Sequence, residues 1–108
     1  MSGFLRVRGE NLSSSQVEGL IEDHPQVQSC ACFPVPARVG DEEDIVVYVV
    51  LHQEQQLSEA ELRAWIEAEM SKFMWPKHIR FIDELPVTPT FKVKKHELKE
   101  RILLELKA

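Results

Sequence analysis

The sequence predicts an α+β domain in which helices cover a small, mostly antiparallel, three-stranded sheet. Three runs rich in β-branched and aromatic residues are typical of strands: residues 27–35, 45–51 and 78–82. Three segments carry apolar residues at helical spacing, and they begin near Ser15, Ser58 and Lys95. A chain of 108 residues can enclose one hydrophobic core, so we interpret it as a single domain.

The N-terminal part predicts a strand, a turn and a helix. Residues 4–8 alternate in polarity like a short strand, and residues 8–12 follow as a turn in which Gly9 can adopt a positive φ. Ser15 and Glu18 have the spacing of a capping box, in which both side chains satisfy free amides at a helix start. The apolar face of this helix consists of Val17, Leu20 and Ile21.

The strand at residues 27–35 contains the only two cysteines of the chain. Cys30 and Cys32 are two residues apart and therefore share one face of the strand. No second Cys or His cluster completes a zinc site with them, so we interpret both as reduced and buried. The other face is predicted to consist of Val27, Ala31, Phe33 and Val35.

The middle of the chain combines an acidic loop with a strongly apolar strand. Residues 37–44 include the run Asp41 to Asp44, whose spacing matches no calcium loop. We interpret this run as a solvated turn and predict no metal site. Residues 45–51 are continuously apolar, which predicts a central strand buried on both faces.

The C-terminal half predicts two more helices around the third strand. Ser58 and Glu61 form a second capping box. The aromatic cluster at residues 73–75 can be read as a ligand platform, but core packing is the more frequent role of such residues. The last helix spans about residues 95–106. The apolar faces of the two helices consist of Leu62, Trp65, Ile66 and Met70, and of Leu98, Ile102 and Leu106.

Composition and charge exclude several classes of protein. The formal charge of −5 argues against a general nucleic-acid-binding protein. Residues 92–108 hold six Lys or Arg against three Glu, so the C-terminal end is where we expect an anion to bind. No apolar run approaches 18 residues and no signal peptide is recognisable, which predicts a cytoplasmic protein without a membrane span.

The most informative stretch is the loop at residues 85–95. Pro86 and Pro89 fix φ and push the residues before them toward extended conformations, so we expect a rigid, mostly extended loop. Such a loop can present the Lys92 ammonium to an anion with little entropy loss. The alternative is a solvated, proline-stiffened loop with no ligand, since lysines are mostly solvated surface groups.

Three motifs in the chain resemble the adenylate-forming enzymes, a superfamily of acyl-CoA synthetases, peptide-synthetase adenylation domains and luciferases. The leucine-proline, threonine and lysine-valine pattern of residues 84–93 is similar to their closing signature. The Gly-Glu-Asn-Leu pattern within residues 6–18 and the Met-x-Pro-Lys-His-Ile-x-Phe pattern of residues 74–81 are also similar. The resemblance covers about residues 6–100 and implies the mobile C-terminal domain of an acyl-CoA synthetase, without the large N-terminal ATP- and acyl-binding domain.

The resemblance also implies site residues. Lys92 stands where the family has its catalytic lysine, and Thr90 stands near the adenylate. Arg8, Gly9 and Glu10 stand in the loop that lines the CoA tunnel. Phe91 departs from the pattern, because the family usually has glycine there. Its ring either packs against the acyl group or the large domain, or keeps Lys92 from reaching ATP.

The implied reaction is AMP-forming activation of a carboxylic acid by ATP, with its Mg²⁺, followed by transfer of the acyl group to CoA. We expect this chain to be inactive alone and to need the large domain, in the same or a separate chain, because no glycine-rich phosphate loop occurs here. Two alternatives are an adenylating enzyme with an acceptor other than CoA and a standalone, non-catalytic interaction domain.

Overall fold

A computed structural model describes residues 4–7, 10–36, 43–70 and 72–107. The chain is α+β, as predicted. Its elements in order are β1 (Phe4–Val7), β2 (Glu10–Ser13), α1 (Ser14–Glu22), β3 (Val27–Pro36), β4 (Glu43–Leu51), α2 (Glu59–Glu69), a 3₁₀ turn (Lys72–Met74), β5 (His78–Phe81) and α3 (Lys95–Lys107).

The strands form two sheets. β1 and β2 pair as an antiparallel ribbon, with Val7 opposite Glu10. The main sheet has the order β3-β4-β5, in which β3–β4 is antiparallel and β4–β5 is parallel. The predicted mostly antiparallel character is therefore confirmed, with one parallel pair. That pair requires a crossover connection, which α2 provides between β4 and β5.

Strand β4 is the central strand and is buried on both faces, as its continuous apolar sequence predicted. Alternate residues enter two separate hydrophobic clusters. Ile45, Val47 and Val49 join the first cluster, which contains the buried residues of α1 and α2. Val46 and Tyr48 join the second cluster, which contains the buried residues of α3. The sheet is therefore enclosed between two helical layers.

The predicted face of β3 is correct for Ala31, Phe33 and Val35 but wrong for Val27. The pairing register shifts between Val27 and Ser29, where two steps along β3 correspond to one step along β4. This bulge moves Val27 to the opposite face, where it joins the first cluster together with Cys30 and Cys32.

Two other local predictions are wrong and one is confirmed. Residues 10–12 lie in strand β2 and not in a turn. Helix α1 begins at Ser14, and the Glu18 carboxylate accepts a hydrogen bond from Cys32 N, so Ser15 and Glu18 form no capping box. At α2 the capping box is present in both directions between Ser58 and Glu61, at 2.9 and 3.1 Å.

Both cysteines are free and buried, as predicted. Burial raises the pKa of the Cys32 thiol to about 12, with a smaller contribution from the Glu18 carboxylate. Burial also raises the pKa of Cys30, assisted by the charges of Glu22 and Glu18. Both thiols are therefore protonated at neutral pH.

The acidic run of the sequence lies partly outside the described residues, which include Glu43 and Asp44 at the start of β4. Within the described ranges, no group of three or more His, Cys, Asp or Glu is arranged to hold a metal ion. None of the described helices is long and apolar enough to cross a membrane.

His24 is a buried polar residue just after the end of α1, with 7% of its surface exposed. Its Nδ1 accepts a hydrogen bond from Gln26 N at 3.0 Å, and its ring meets Trp65 edge-on with centroids 4.9 Å apart. Burial lowers the pKa of His24, because the charged imidazolium is desolvated there. The fold therefore holds this histidine neutral.

The lowered pKa of His24 predicts a pH-dependent stability. Between the unfolded pKa of about 6.5 and the lower folded value, the unfolded chain binds more protons than the folded chain. The neutral histidine carries no penalty above that window, and a destabilising penalty develops as the pH falls through it. We expect the free energy of unfolding in urea to fall as the pH is lowered from about 7 through the unfolded pKa of about 6.5, and to fall less in His24→Gln.

The matched control is Trp65→Phe, which alters the ring contact but keeps the histidine. It should lower stability at every pH and retain the slope of the unmodified chain. An unchanged slope in His24→Gln would show that this histidine does not contribute to it.

Candidate functional site

The Lys92 loop, defined here as Leu85–Lys94, connects β5 to α3. Leu85 and Val93 are half-buried and pack against the second hydrophobic cluster. The residues between them are mostly exposed, including Phe91 and Lys92. The two ends of the loop are therefore attached to the sheet and α3, while its tip faces solvent.

Backbone hydrogen bonds show that the loop folds back on itself, which the prediction of a rigid, mostly extended loop did not include. Val87 and Val93 form an antiparallel bridge. Lys94 N donates to Pro86 O and Thr88 N donates to Lys92 O, each at 2.8 Å. The loop is thus a small hairpin. Proline is compatible with this pairing, because it lacks only its own N–H and Pro86 still offers a carbonyl acceptor.

The tip of this hairpin is a turn of Thr88 to Phe91, closed by a bond from Phe91 N to Thr88 O at 2.8 Å. Pro89 occupies the second position of the turn, where its fixed φ is favourable. Phe91 has a φ of 64°, in the left-handed region. A turn followed by a left-handed residue is a common three-residue hairpin loop, and glycine is preferred at that residue.

Threonine hydroxyls brace the tip. Lys92 N donates to Thr88 Oγ1 at 3.1 Å, and the hydroxyls of Thr88 and Thr90 are 3.0 Å apart. Thr88 therefore bonds to the backbone of Lys92 through both its main chain and its side chain. The backbone that presents Lys92 is held by several directional bonds, although the loop is exposed.

The three lysines near the tip have different electrostatic surroundings. Lys94 pairs with Glu97 at 3.4 Å, and Lys95 pairs with Glu18 at 2.8 Å. In the part of the chain that the structure describes, Lys92 has no ion-pair partner. Its exposed ammonium can therefore bind an added anion without first breaking one of the described ion pairs.

Sequence reasoning missed the contact between Glu18 and Lys95. One oxygen of Glu18, Oε2, lies 2.6 Å from Cys32 N and 2.8 Å from Lys95 Nζ. The carboxylate therefore joins α1, β3 and α3. The spacing of Ser15 and Glu18 matched a local motif, and no pattern in the sequence indicates that residues 18 and 95 meet.

The predicted CoA-side loop is only partly described. Arg8 and Gly9 lie outside the described residues, and Glu10 is the first residue of β2. The backbone of Glu10 pairs with Val7 of β1. The roles of Arg8, Gly9 and Glu10 remain predictions.

Solved structures share this fold. An anthranilate CoA ligase, AuaEII, in complex with anthranoyl-AMP aligns with 92% of this chain at a TM-score of 0.79 and 29% identity. The amide bond synthetase McbA from Marinactinospora thermotolerans aligns with 91% at a TM-score of 0.80 and 26% identity. In each case the match covers 20% of the solved chain. The fold is thus that of a small domain found in adenylating enzymes.

The sequence profile of the AMP-binding enzyme C-terminal domain matches residues 16–92, and the chain belongs to this family. A trans-cinnamate:CoA ligase of Petunia hybrida, described as peroxisomal, is 40% identical over 93 residues. That match covers 85% of this chain and 16% of the relative. The chain therefore spans about one sixth of the length of a relative that it matches.

The left-handed conformation of Phe91 predicts that Phe91→Gly stabilises the fold. A left-handed residue with a Cβ costs about 1–2 kcal/mol, while glycine loses about 0.5–1 kcal/mol more entropy on folding. The ring is 84% exposed, so little packing is lost. We expect the free energy of unfolding in urea to rise by about 1 kcal/mol.

The control is Phe91→Ala, which removes the ring but keeps the Cβ. It should leave stability within about 0.5 kcal/mol of the unmodified chain. Equal stability of the glycine and alanine variants would show that backbone strain at this residue is negligible.

Proposed function

We propose that this chain is the catalytic-lysine domain of an ATP-dependent, AMP-forming carboxylate–CoA ligase, acting with a large N-terminal adenylating domain. The observation that supports this most directly is the exposed Lys92 ammonium on a hydrogen-bonded turn, at the position that the resemblance implies for the catalytic lysine. The short span of the match within its relatives supports the need for a large domain, in the same or a separate chain.

The proposed role of Lys92 follows from the charge that develops during adenylation. The carboxylate of the acid attacks the α-phosphate of ATP, the bond to pyrophosphate breaks, and negative charge grows on the phosphoryl and leaving oxygens. A lysine ammonium is a compact charge with three donors that can bridge such oxygens. Donors already held in place stabilise developing charge without reorganising during the reaction. The bonds of Thr88 provide this preorganisation for the backbone of Lys92.

The second half-reaction transfers the acyl group from AMP to an acceptor thiol. We assign Arg8, Gly9 and Glu10 to the CoA side of the domain, and Thr90 to the vicinity of the adenylate. Mg²⁺ would enter with ATP in the large domain. The two sets of residues are about 80 positions apart in the sequence, and the domain would turn to present one set and then the other.

The exposed Phe91 is compatible with adenylation. The turn forms with Phe91 in the conformation that glycine would adopt, and the backbone bonds around Lys92 are intact. This supports the interpretation in which the ring packs on the acyl group or the large domain, and not the one in which it blocks Lys92.

A second candidate function is adenylation with an acceptor other than CoA. The fold of this chain matches an amide bond synthetase as well as a CoA ligase. The acceptor is distinguished by supplying acyl-adenylate to the full-length enzyme with either CoA or an amine, and measuring which is acylated.

The catalytic role of Lys92 predicts a split between the half-reactions. In the full-length enzyme that contains this chain, Lys92→Ala should lower the adenylation rate by about 10²–10³, because one well-placed charge on the transition state is lost. Thioester formation from supplied acyl-adenylate should be unchanged. ATP–pyrophosphate exchange measures the first step, and release of AMP measures the second.

Lys94→Ala is the matched control, since Lys94 belongs to the same loop and already pairs with Glu97. It should leave both half-reactions close to the unmodified rates. An equal loss of both half-reactions in Lys92→Ala would indicate misfolding and would contradict the proposed role.

The need for a large domain predicts that the 108-residue chain alone is inactive. It has four glycines and no glycine-rich phosphate loop. We expect no ATP–pyrophosphate exchange by the isolated chain with any carboxylic acid that the full-length enzyme activates. Exchange above the level of a Lys92→Ala chain would contradict this expectation.

A further inference from the structure

We propose that Glu18 is a positioning residue for the Lys92 loop. Through its ion pair with Lys95, the carboxylate would fix the end of the loop relative to strand β3. This inference rests on the proposed function of Lys92 and adds a residue from a different helix to the same site.

The first support is the geometry around the Glu18 carboxylate. Its Oε2 accepts a hydrogen bond from Cys32 N at 2.6 Å and lies 2.8 Å from Lys95 Nζ. The Glu18 side chain is 18% exposed, whereas the carboxylate side chains of the other described ion pairs are between 46% and 50% exposed. Solvent and salt therefore screen this pair less than the others.

The second support is that the contacts that shape the loop differ from the contacts that attach it to the rest of the domain. The bonds of Pro86, Thr88, Phe91 and Lys94 join the loop to itself and set its shape. Two further bonds, from Lys95 N to Val93 O at 3.0 Å and from Glu97 N to Lys94 O at 3.1 Å, join the loop to the start of α3, but none of these bonds joins it to the sheet. The packing of Leu85 and Val93 on the second cluster does attach the loop, but apolar contacts are not directional.

The ion pair provides the directional contact. Cys32 N belongs to the backbone of β3, so the hydrogen bond aligns the Glu18 carboxylate with the sheet. Lys95 is the first residue of α3 and follows Lys92 by three residues. The far end of α3 is held separately, by a pair between Glu105 and Arg80 of β5. The Glu18 pair thus adds a directional contact from β3 to the start of α3, which the second cluster already holds through Leu98.

Catalysis by Lys92 would depend on that placement. A displacement of about 1 Å in a catalytic group can lower a rate about 10²-fold, even when the change originates far from the reacting atoms. A partial loss of the ion pair would produce a smaller displacement, since the apolar anchors remain. The effect should fall on adenylation, because that step uses the face carrying Lys92.

The chain offers a matched control on the same helix and strand. Glu22 Oε2 accepts a hydrogen bond from Cys30 N at 3.2 Å, which reproduces the backbone contact of Glu18. Lys95 provides the other half of the test, because Lys95→Met removes the charge and Lys95→Arg retains it. Lys95 is 36% exposed, so its substitution leaves the core intact.

The experiment measures both half-reactions in the full-length enzyme that contains this chain. We expect Glu18→Gln and Lys95→Met each to slow adenylation about tenfold. Thioester formation from supplied acyl-adenylate should be unchanged in both. Glu22→Gln should slow neither step, and Lys95→Arg should recover most of the adenylation rate. The losses in the double variant Glu18→Gln/Lys95→Met should be less than additive, because the two substitutions share the loss of one ion pair.

Three results would overturn the inference: equal adenylation rates in Glu18→Gln and Glu22→Gln, equal loss of both half-reactions, or additive losses in the double variant. If Glu18→Gln fails to fold, the comparison of Lys95→Met with Lys95→Arg decides. Lys92→Ala separates the two proposals. Normal adenylation in Lys92→Ala overturns the proposed function, whereas selective loss there with normal rates in Glu18→Gln overturns only the positioning role.

Discussion

The architecture depends on the burial of β4 on both faces. Its residues alternate between the cluster beneath α1 and α2 and the cluster beneath α3. A shift of one residue in the pairing of β4 would exchange the two sets of side chains, so its register is strongly specified. Both helical layers are positioned by this one strand. The position of the Lys92 loop also depends on this strand, since Leu85 and Val93 pack against the second cluster.

The loop combines exposure with order. Its tip must reach a separate domain if the proposed function is correct, yet an exposed loop is ordinarily free to move. Here the threonine hydroxyls and backbone amides satisfy one another within the loop. The contact between Glu18 and Lys95 then connects the loop to helix α1 on the opposite face of the sheet. Order at the tip therefore does not require burial of the tip.

Sequence patterns correctly predicted the features that depend only on neighbouring residues. The apolar run at residues 45–51 indicated a doubly buried strand, and Ser58 with Glu61 indicated a helix start, because both signals lie within a few residues. The alternation of residues 27–35 predicts the wrong face for Val27, because a bulge depends on the partner strand. The spacing of Ser15 and Glu18 predicts a cap, but the partners of Glu18 are 14 and 77 residues away, beyond any local pattern. The resemblance implies a role for Lys92, but it does not indicate the hairpin that presents this residue.

The burial of Cys30 and Cys32 has a practical consequence. Their raised pKa values keep both thiols protonated, and the thiolate is the form that attacks alkylating reagents. Because these are the only cysteines in the chain, we expect maleimide dyes to label the unmodified chain very little. A thiol introduced by substitution of an exposed residue such as Thr90 could then be labelled selectively. Fluorescence distance measurements could follow the excursions of the domain without first replacing its own cysteines.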